Sequence, residues 1–335
     1  GRVPMLTTLI YQRLNGFGPS VAGQVAVLAL ILTLMAVAAL LLRSAAMRRL
    51  RVPVEAGRPF HATRPAPLWA QGLVWAVVLM IALLPLAALV MTSLVPAIGV
   101  PFSPEIASLE QYRRVLANAA VVRAFQNSLV LSALAAAICL IVTLPLAYLA
   151  TRRPSPAMAA LDLAAEAPWV VPGTVVALAM ILAFLPPLPL IGVSLYGTGA
   201  ILLIAYLARF LPLVLRPVAA AASAGDPAQD EAARIAGIAL PRRLARIFAP
   251  SVAPAALAGA VLILMTAMNE LTLSALLWSS GRETIGVMVF SLQYEGNSTA
   301  AAAVSVLSTL LLIGLCALAE ALLGRRGAAA LPWRA

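Results

Sequence analysis

Residues 226–250 read DPAQDEAARIAGIALPRRLARIFAP, a polar and basic stretch set between two long apolar runs. That placement makes it a loop between membrane spans, and its residues spell a helix-turn-helix. Asp226 can cap a helix whose first turn carries Pro227 at the first position and Gln229 at the third, a capping-box arrangement with proline in its favoured place. The predicted helix runs from Ala228 to Ala236 and stops at Gly237, the residue type that best tolerates a left-handed conformation at a helix end. Pro241 then opens a second short helix. Its basic residues Arg242, Arg243 and Arg246 face away from Leu244, Ile247 and Phe248, so the pair can insert into a partner's groove. The plainer alternative is an interfacial amphipathic hairpin.

Composition sets the class of the whole chain. With 63% hydrophobic and 10% charged residues in a chain of 335, there is too little polar surface to cover a soluble globule. Stretches free of charge run over 14–42, 65–104, 124–151, 167–208, 247–269 and 296–319. A span needs about 20 residues, so the run 167–208 holds two, broken at Pro186-Pro187-Leu188-Pro189 and Gly192. An all-α polytopic membrane protein of seven helices is predicted, near 21–43, 70–95, 126–149, 167–186, 197–216, 253–276 and 300–322.

The arginines give an orientation, because positive residues gather on the cytoplasmic side. With 217–250 placed there, sixteen arginines fall on the cytoplasmic side: those from Arg43 to Arg64, Arg152 and Arg153, those from Arg216 to Arg246, and those from Arg325 to Arg334. Six fall opposite: Arg2, Arg13, Arg113, Arg114, Arg123 and Arg282, with Arg209 left inside a span. The net charge of +11 is then topology and attraction to anionic lipid headgroups, and nucleic-acid binding is not needed to explain it.

The spacing of Glu231-Ala232-Ala233, Gly237 and Ile247-x-Ala249-Pro250 resembles the EAA loop of the inner-membrane permease subunits of bacterial binding-protein-dependent ABC importers. Ala249 stands where that motif usually has leucine. Leu109-Glu110-x-Tyr112, Phe125-x-Asn127-Ser128 and Ala147-Tyr148-Leu149-Ala150 resemble the approach to such a permease's second helix. Pro168-Trp169-Val170-Val171-Pro172-Gly173-Thr174 resembles the start of its third. The resemblance implies a multi-pass protein of the bacterial plasma membrane. It also implies ATPase-coupling residues at Glu231, Ala232, Ala233, Gly237, Arg242, Arg243, Ile247 and Pro250. The implied partners are a dimer of ABC ATPase subunits, which binds ATP and magnesium, and an extracytoplasmic substrate-binding protein. Among substrates it favours ferric iron, then thiamine, phosphonate or polyamine.

A weak internal repeat accompanies this pattern. At an offset of 279 residues, Ile10-Tyr11 aligns with Val289-Phe290, Val25 with Val304, Val27-Leu28 with Val306-Leu307, and Ala38 with Ala317. Residues 1–43 are accordingly expected to be the tail and last helix of a preceding permease half. Residues 44–68, rich in arginine and proline, are expected to be a mobile cytoplasmic linker, and 69–335 a second half carrying the coupling loop 217–250. The fused ferric-iron type of permease has this plan, and the absence of an initiator methionine fits an N-terminally incomplete chain.

The enzyme classes narrow by what is missing. The chain has no lysine, so it has neither a Walker A phosphate loop nor Schiff-base chemistry of its own. His61 is the only histidine, which rules out a di-histidine metal site, and Cys139 and Cys316 lie in spans as small apolar residues. No cofactor or metal is expected in this chain, and no cleavable signal peptide is visible.

Charge inside a span is costly and marks candidate function. Asn269 and Glu270, toward the extracellular end of the 253–276 helix, are the candidate substrate-pathway residues. Glu270 could instead pair with Arg209 or cap backbone. Arg209 is expected to snorkel toward the cytoplasmic face, and Asp162 and Glu166 to begin a cytoplasmic helix. The rival readings are a secondary transporter, which would need carboxylates at the midplane, and a scaffold protein. Both leave the loop spacing unexplained.

Overall fold

A computed structural model describes residues 67–189 and 192–323, together with isolated helical positions between Gln24 and Ala46. Residues 1–23, the linker around His61 and the segment from 324 onward lie outside it. The expectations for the first helix, the repeat and the linker therefore fall largely outside the described residues.

The described chain is helical: α1 (Leu68–Leu94), α2 (Glu110–Ala117), α3 (Ala119–Arg152), α4 (Pro156–Val170), α5 (Gly173–Phe184), α6 (Gly199–Ala224), α7 (Ala228–Ile235), α8 (Leu240–Met268), α9 (Ser274–Leu277), α10 (Ile285–Tyr294) and α11 (Ser298–Leu323). Five of these, α1, α3, α6, α8 and α11, are long and apolar enough to cross a bilayer, and α4 with α5 makes a sixth if the bent pair counts as one span.

Local chemistry sets the boundaries. Asn118 caps α3 by accepting the N–H of Ala120 at 2.9 Å, and Ser155 caps α4 by accepting that of Met158 at 3.2 Å, with Pro156 in the first turn. The expected single helix over 167–186 is corrected. The chain enters that span eleven residues earlier, at Pro156, and breaks by 112° between Val170 and Gly173. Val171 precedes Pro172, whose ring drives it out of the helical region to ψ 137°.

The span expected over 253–276 is corrected as well. It starts at Leu240, continuous with the second loop helix, and ends at Met268. The join is a π turn at Leu244–Phe248, closed by the N–H of Ala249 donating to the carbonyl of Leu244. Pro250 follows at once and has no N–H to offer, so the wider turn sits where the regular ladder is already interrupted.

The core is the packing of α3, α6 and α8 on one another, with α4 against α6. Along α3 most of the buried side chains are small, among them Ala124, Ser128, Ser132, Ala135, Cys139 and Ala147. Small residues let helix backbones approach closely where lipid supplies no hydrophobic drive to association. Gly259 of α8 shows how close that approach is, since a Cβ there would lie 2.6 Å from the Cα of Val214 on α6. A second packing unit joins α11 to α1, α2 and α10 around Val115, Met268, Ile285 and Val304. The other side of α1, including Leu73, Trp75 and Ile81, is exposed.

Candidate functional site

The 226–250 segment projects from one end of the bundle. Asp226 accepts the N–H of Ala228 at 2.9 Å, so α7 begins at Ala228 with Pro227 as its cap, one position later than the capping box predicts. The other end matches expectation closely. Gly237 takes φ +74°, its N–H donates to Arg234 O at 3.1 Å, and that of Ile238 donates to Ala233 O at 3.0 Å. This pair of bonds is the Schellman closure, which needs a residue free to adopt positive φ.

Glu231, Ala232, Gly237, Arg242 and Pro250 are exposed, as is Ile235 at 85%, while Ile247 is half-buried and Ala233 is buried under the loop. Arg243 departs from the expected basic face. It is 5% exposed and turned inward. Its Nη2 donates to Tyr148 Oη at 2.8 Å, and that hydroxyl donates to Asp230 Oδ2 at 2.7 Å. Arg243 Nε also stands 3.2 Å from Asp230 Oδ1, an ion-pair contact too misaligned for a hydrogen bond. The Tyr148 ring meets Phe248 edge-on at 5.3 Å between centroids. A buried charge must be paired and hydrogen-bonded, and Asp230, unlike its neighbour Glu231, sits on the inner face of α7 where it can serve. Tyr148 and Asp230 were missed by the reading of the loop. The signal available was the single tyrosine at the 226–250 end of α3.

At the opposite end, the candidate pathway residues sit in the chain reversal that follows α8. Asn269 Oδ1 accepts the hydroxyl of Ser308 on α11 at 2.7 Å. Glu270 is 8% exposed, and its carboxylate accepts the N–H groups of Leu273, at 3.0 and 2.9 Å, and Ser274, at 3.1 Å, with the hydroxyls of Thr272 and Ser274 completing the shell. It caps α9 and thereby ends α8. Arg209 is neither snorkelled nor ion-paired to Glu270. Its Nη1 donates to the carbonyls of Val171, at 3.0 Å, and Pro168, at 3.3 Å, and its guanidinium lies 5.8 Å from the centre of the Trp169 ring. Thus it closes the open end of α4 at the break. Asp162 and Glu166 lie within α4, and Glu166 forms an ion pair with Arg216 of α6.

The next segment, 279–285, is clamped to α3. Asn127 Nδ2 donates to the carbonyls of Glu283 and Gly281 at 2.9 and 3.2 Å, and Ser128 accepts the N–H of Ile285 at 2.9 Å. Beside this loop, a groove of about 970 Å³ runs between α1, α10 and α11, with Thr92, Asn269, Gln293, Ser305, Ser308 and Thr309 on its walls. Asn269 therefore borders the groove. The Glu270 carboxylate is turned into its own loop. Among the described residues no group of three or more His, Cys, Asp or Glu side chains is placed to hold a metal ion.

Residues 143–325, which include the projecting loop and the reversal after α8, match the family of binding-protein-dependent transport system inner membrane components. The chain belongs to that family. The permease is 34% identical over 233 residues, 69% of its own length, to a probable ABC transporter permease protein of Sinorhizobium fredii, of which it covers 41%. It is 32% identical over 158 residues, 47% of its length, to a putative 2-aminoethylphosphonate transport system permease protein of Salmonella paratyphi A, of which it covers 53%. The chain thus spans about half, or less, of these relatives' lengths. In fold it resembles a chain of a bacterial alginate ABC transporter solved with a pentasaccharide-bound periplasmic protein. The TM-score is 0.60 at 17% identity, over 78% of the permease and 94% of that chain.

Proposed function

We propose that this permease is the membrane subunit of an importer, with α7 and the first turns of α8 docking on a separate ATPase at the cytoplasmic side. The observation that carries the reading is the exposed knob of Glu231, Ile235 and Gly237, held beyond the ends of α6 and α8 by a defined Schellman turn. Ile235, 85% exposed, puts an apolar side chain on this polar loop where a docked ATPase would cover it. The arginine bias supports putting this end on the cytoplasmic side of a bacterial inner membrane. The ATPase would bind ATP and magnesium, and an extracytoplasmic binding protein would deliver substrate to the opposite end. Asn269 and Glu270 are read as part of the pathway wall there, supported by Asn269 bordering the groove.

Ferric iron is the substrate that the sequence resemblance to fused permeases favours. A phosphonate is the second reading, supported by the relative named for 2-aminoethylphosphonate transport. Uptake of radiolabelled ferric iron and of 2-aminoethylphosphonate in cells with and without the permease tests both. Energy-dependent uptake of one, lost on deletion, supports import of that substrate, and no dependence for either removes both substrate readings.

A further inference from the structure

We infer that Tyr148, Asp230 and Arg243 are positioning residues that link the docking loop rigidly to the helix core, so that a displacement of α7 is delivered to α3 and α8 together. The inference rests on the docking reading given above.

The three side chains come from three elements: Asp230 from α7, Arg243 from the first turn of α8, and Tyr148 from the end of α3 nearest the loop. Only the tyrosine hydroxyl touches both charged partners, accepting from Arg243 at 2.8 Å and donating to Asp230 at 2.7 Å. All three are withdrawn from solvent, with Tyr148 at 2% and Arg243 at 5% exposure, and the Asp230 side chain at 15%. Sliding α7 against α3 would strip at least one buried charge of its partner, which is strongly disfavoured. Elsewhere α7 is held lightly. Its other residues are largely exposed, Ala233 being buried, and its main packing against α8 is at the π turn.

Charge pairing is also an unexpected choice if the site serves stability alone, since well-packed apolar side chains in place of a buried ion pair are often neutral or stabilising. Stiffness of direction is what the hydrogen-bonded triad adds. Between α7 and α8 the chain has only Ala236 to Ala239, turned at Gly237, so the triad is the side-chain link that ties α7 to both α3 and α8.

The test uses the full transporter, reconstituted with its partner subunits, and the extracytoplasmic binding protein purified with whatever ligand it carries. The readouts are ATP hydrolysis with and without that binding protein, ATPase co-purification, and thermal stability in detergent. Asp230→Leu combined with Arg243→Met replaces the pair by apolar groups, and Tyr148→Phe keeps the ring against Phe248 but removes the hydroxyl. We expect both variants to keep the ATPase bound while the stimulation by binding protein falls about tenfold, within the usual range of coupling free energies. Full stimulation in Tyr148→Phe overturns the linkage, even if the paired variant fails to assemble. Lowered stability with unchanged stimulation assigns the triad to folding alone and also overturns it. A wild-type transporter that neither retains an ATPase nor responds to the binding protein defeats the docking reading itself.

Discussion

Arg209 donates to the carbonyl of Val171 at 3.0 Å, so an arginine in the middle of α6 closes the end of a helix that a proline has broken. The two carbonyls at that break have lost their helical partners, and in a low-dielectric setting an unsatisfied carbonyl is costly. Replacement by methionine, which keeps length and removes the donors, should destabilise the permease by about 2 kcal/mol, the scale of a lost hydrogen bond to a charged group. Thermal unfolding in detergent checks this, and an unchanged midpoint would mean that water or another donor serves the break.

Glu270 gives a second case. Its carboxylate receives two backbone N–H groups and two hydroxyls, and glutamine offers one acceptor where the carboxylate offers two. The variant Glu270→Gln should lose about 2 kcal/mol of stability by the same scale. A role in the pathway adds a separate expectation, lower uptake per folded transporter. Normal uptake at reduced stability would leave Glu270 as a cap and remove it from the pathway wall.

The fold class, the five long apolar helices of the described residues and the loop geometry were legible in the sequence, because each rests on a local signal: charge-free length, a capping aspartate, a glycine where φ must be positive. The proline at 172 that breaks the pair was also written there, yet a charge-free run beginning at Ala167 hid that the helix starts at Pro156, since Asp162 and Glu166 read as the start of a cytoplasmic helix. Glu166 is accommodated by its ion pair with Arg216, a partner 50 residues away that no local pattern announces. Arg243 was misplaced for a related reason. Helical periodicity put it with Arg242 and Arg246, whereas the π turn that follows, the half-buried Asp230 and the buried Tyr148 draw it inward. Glu270 stands out in the sequence as a charge in an apolar run, but its hydrogen-bond donors lie two to four residues ahead in a turn that a continuous helix to residue 276 would not contain.

A pH effect follows from Glu283. Burial raises its proton affinity, but the N–H of Gly281, donating at 2.9 Å, and the guanidinium of Arg123 outweigh that, so its carboxyl sits below the ordinary range. Because the folded state binds this proton less tightly than the unfolded state, the stabilisation is complete above the ordinary glutamate value of about 4.3 and is lost as pH falls through the lower folded value. Wild-type stability should therefore fall more steeply than that of Glu283→Gln on acidification below about pH 4. Parallel pH profiles would contradict the pairing.

Topology is open to direct labelling. In a background with Cys139 and Cys316 replaced by alanine, cysteines at Ser155 and Ser223 should react only with reagents that reach the cytoplasm. A cysteine at Tyr294, which is 83% exposed, should be modified from outside. The arginine bias demands this arrangement. External labelling at Ser223 would reverse the bundle.

The most direct measurement is ATPase capture by the loop. Membranes carrying the permease with its partner subunits are solubilised, and the ATPase that co-purifies is quantified for wild type, Glu231→Arg and Gly237→Pro. Glu231→Arg reverses a charge on the exposed face of α7, and Gly237→Pro puts a ring fixed near φ −65° where the chain takes φ +74°. Both variants should insert normally and lose the bound ATPase together with its stimulated hydrolysis. Full retention of ATPase and activity by both would contradict the assignment of residues 226–250 as the docking loop.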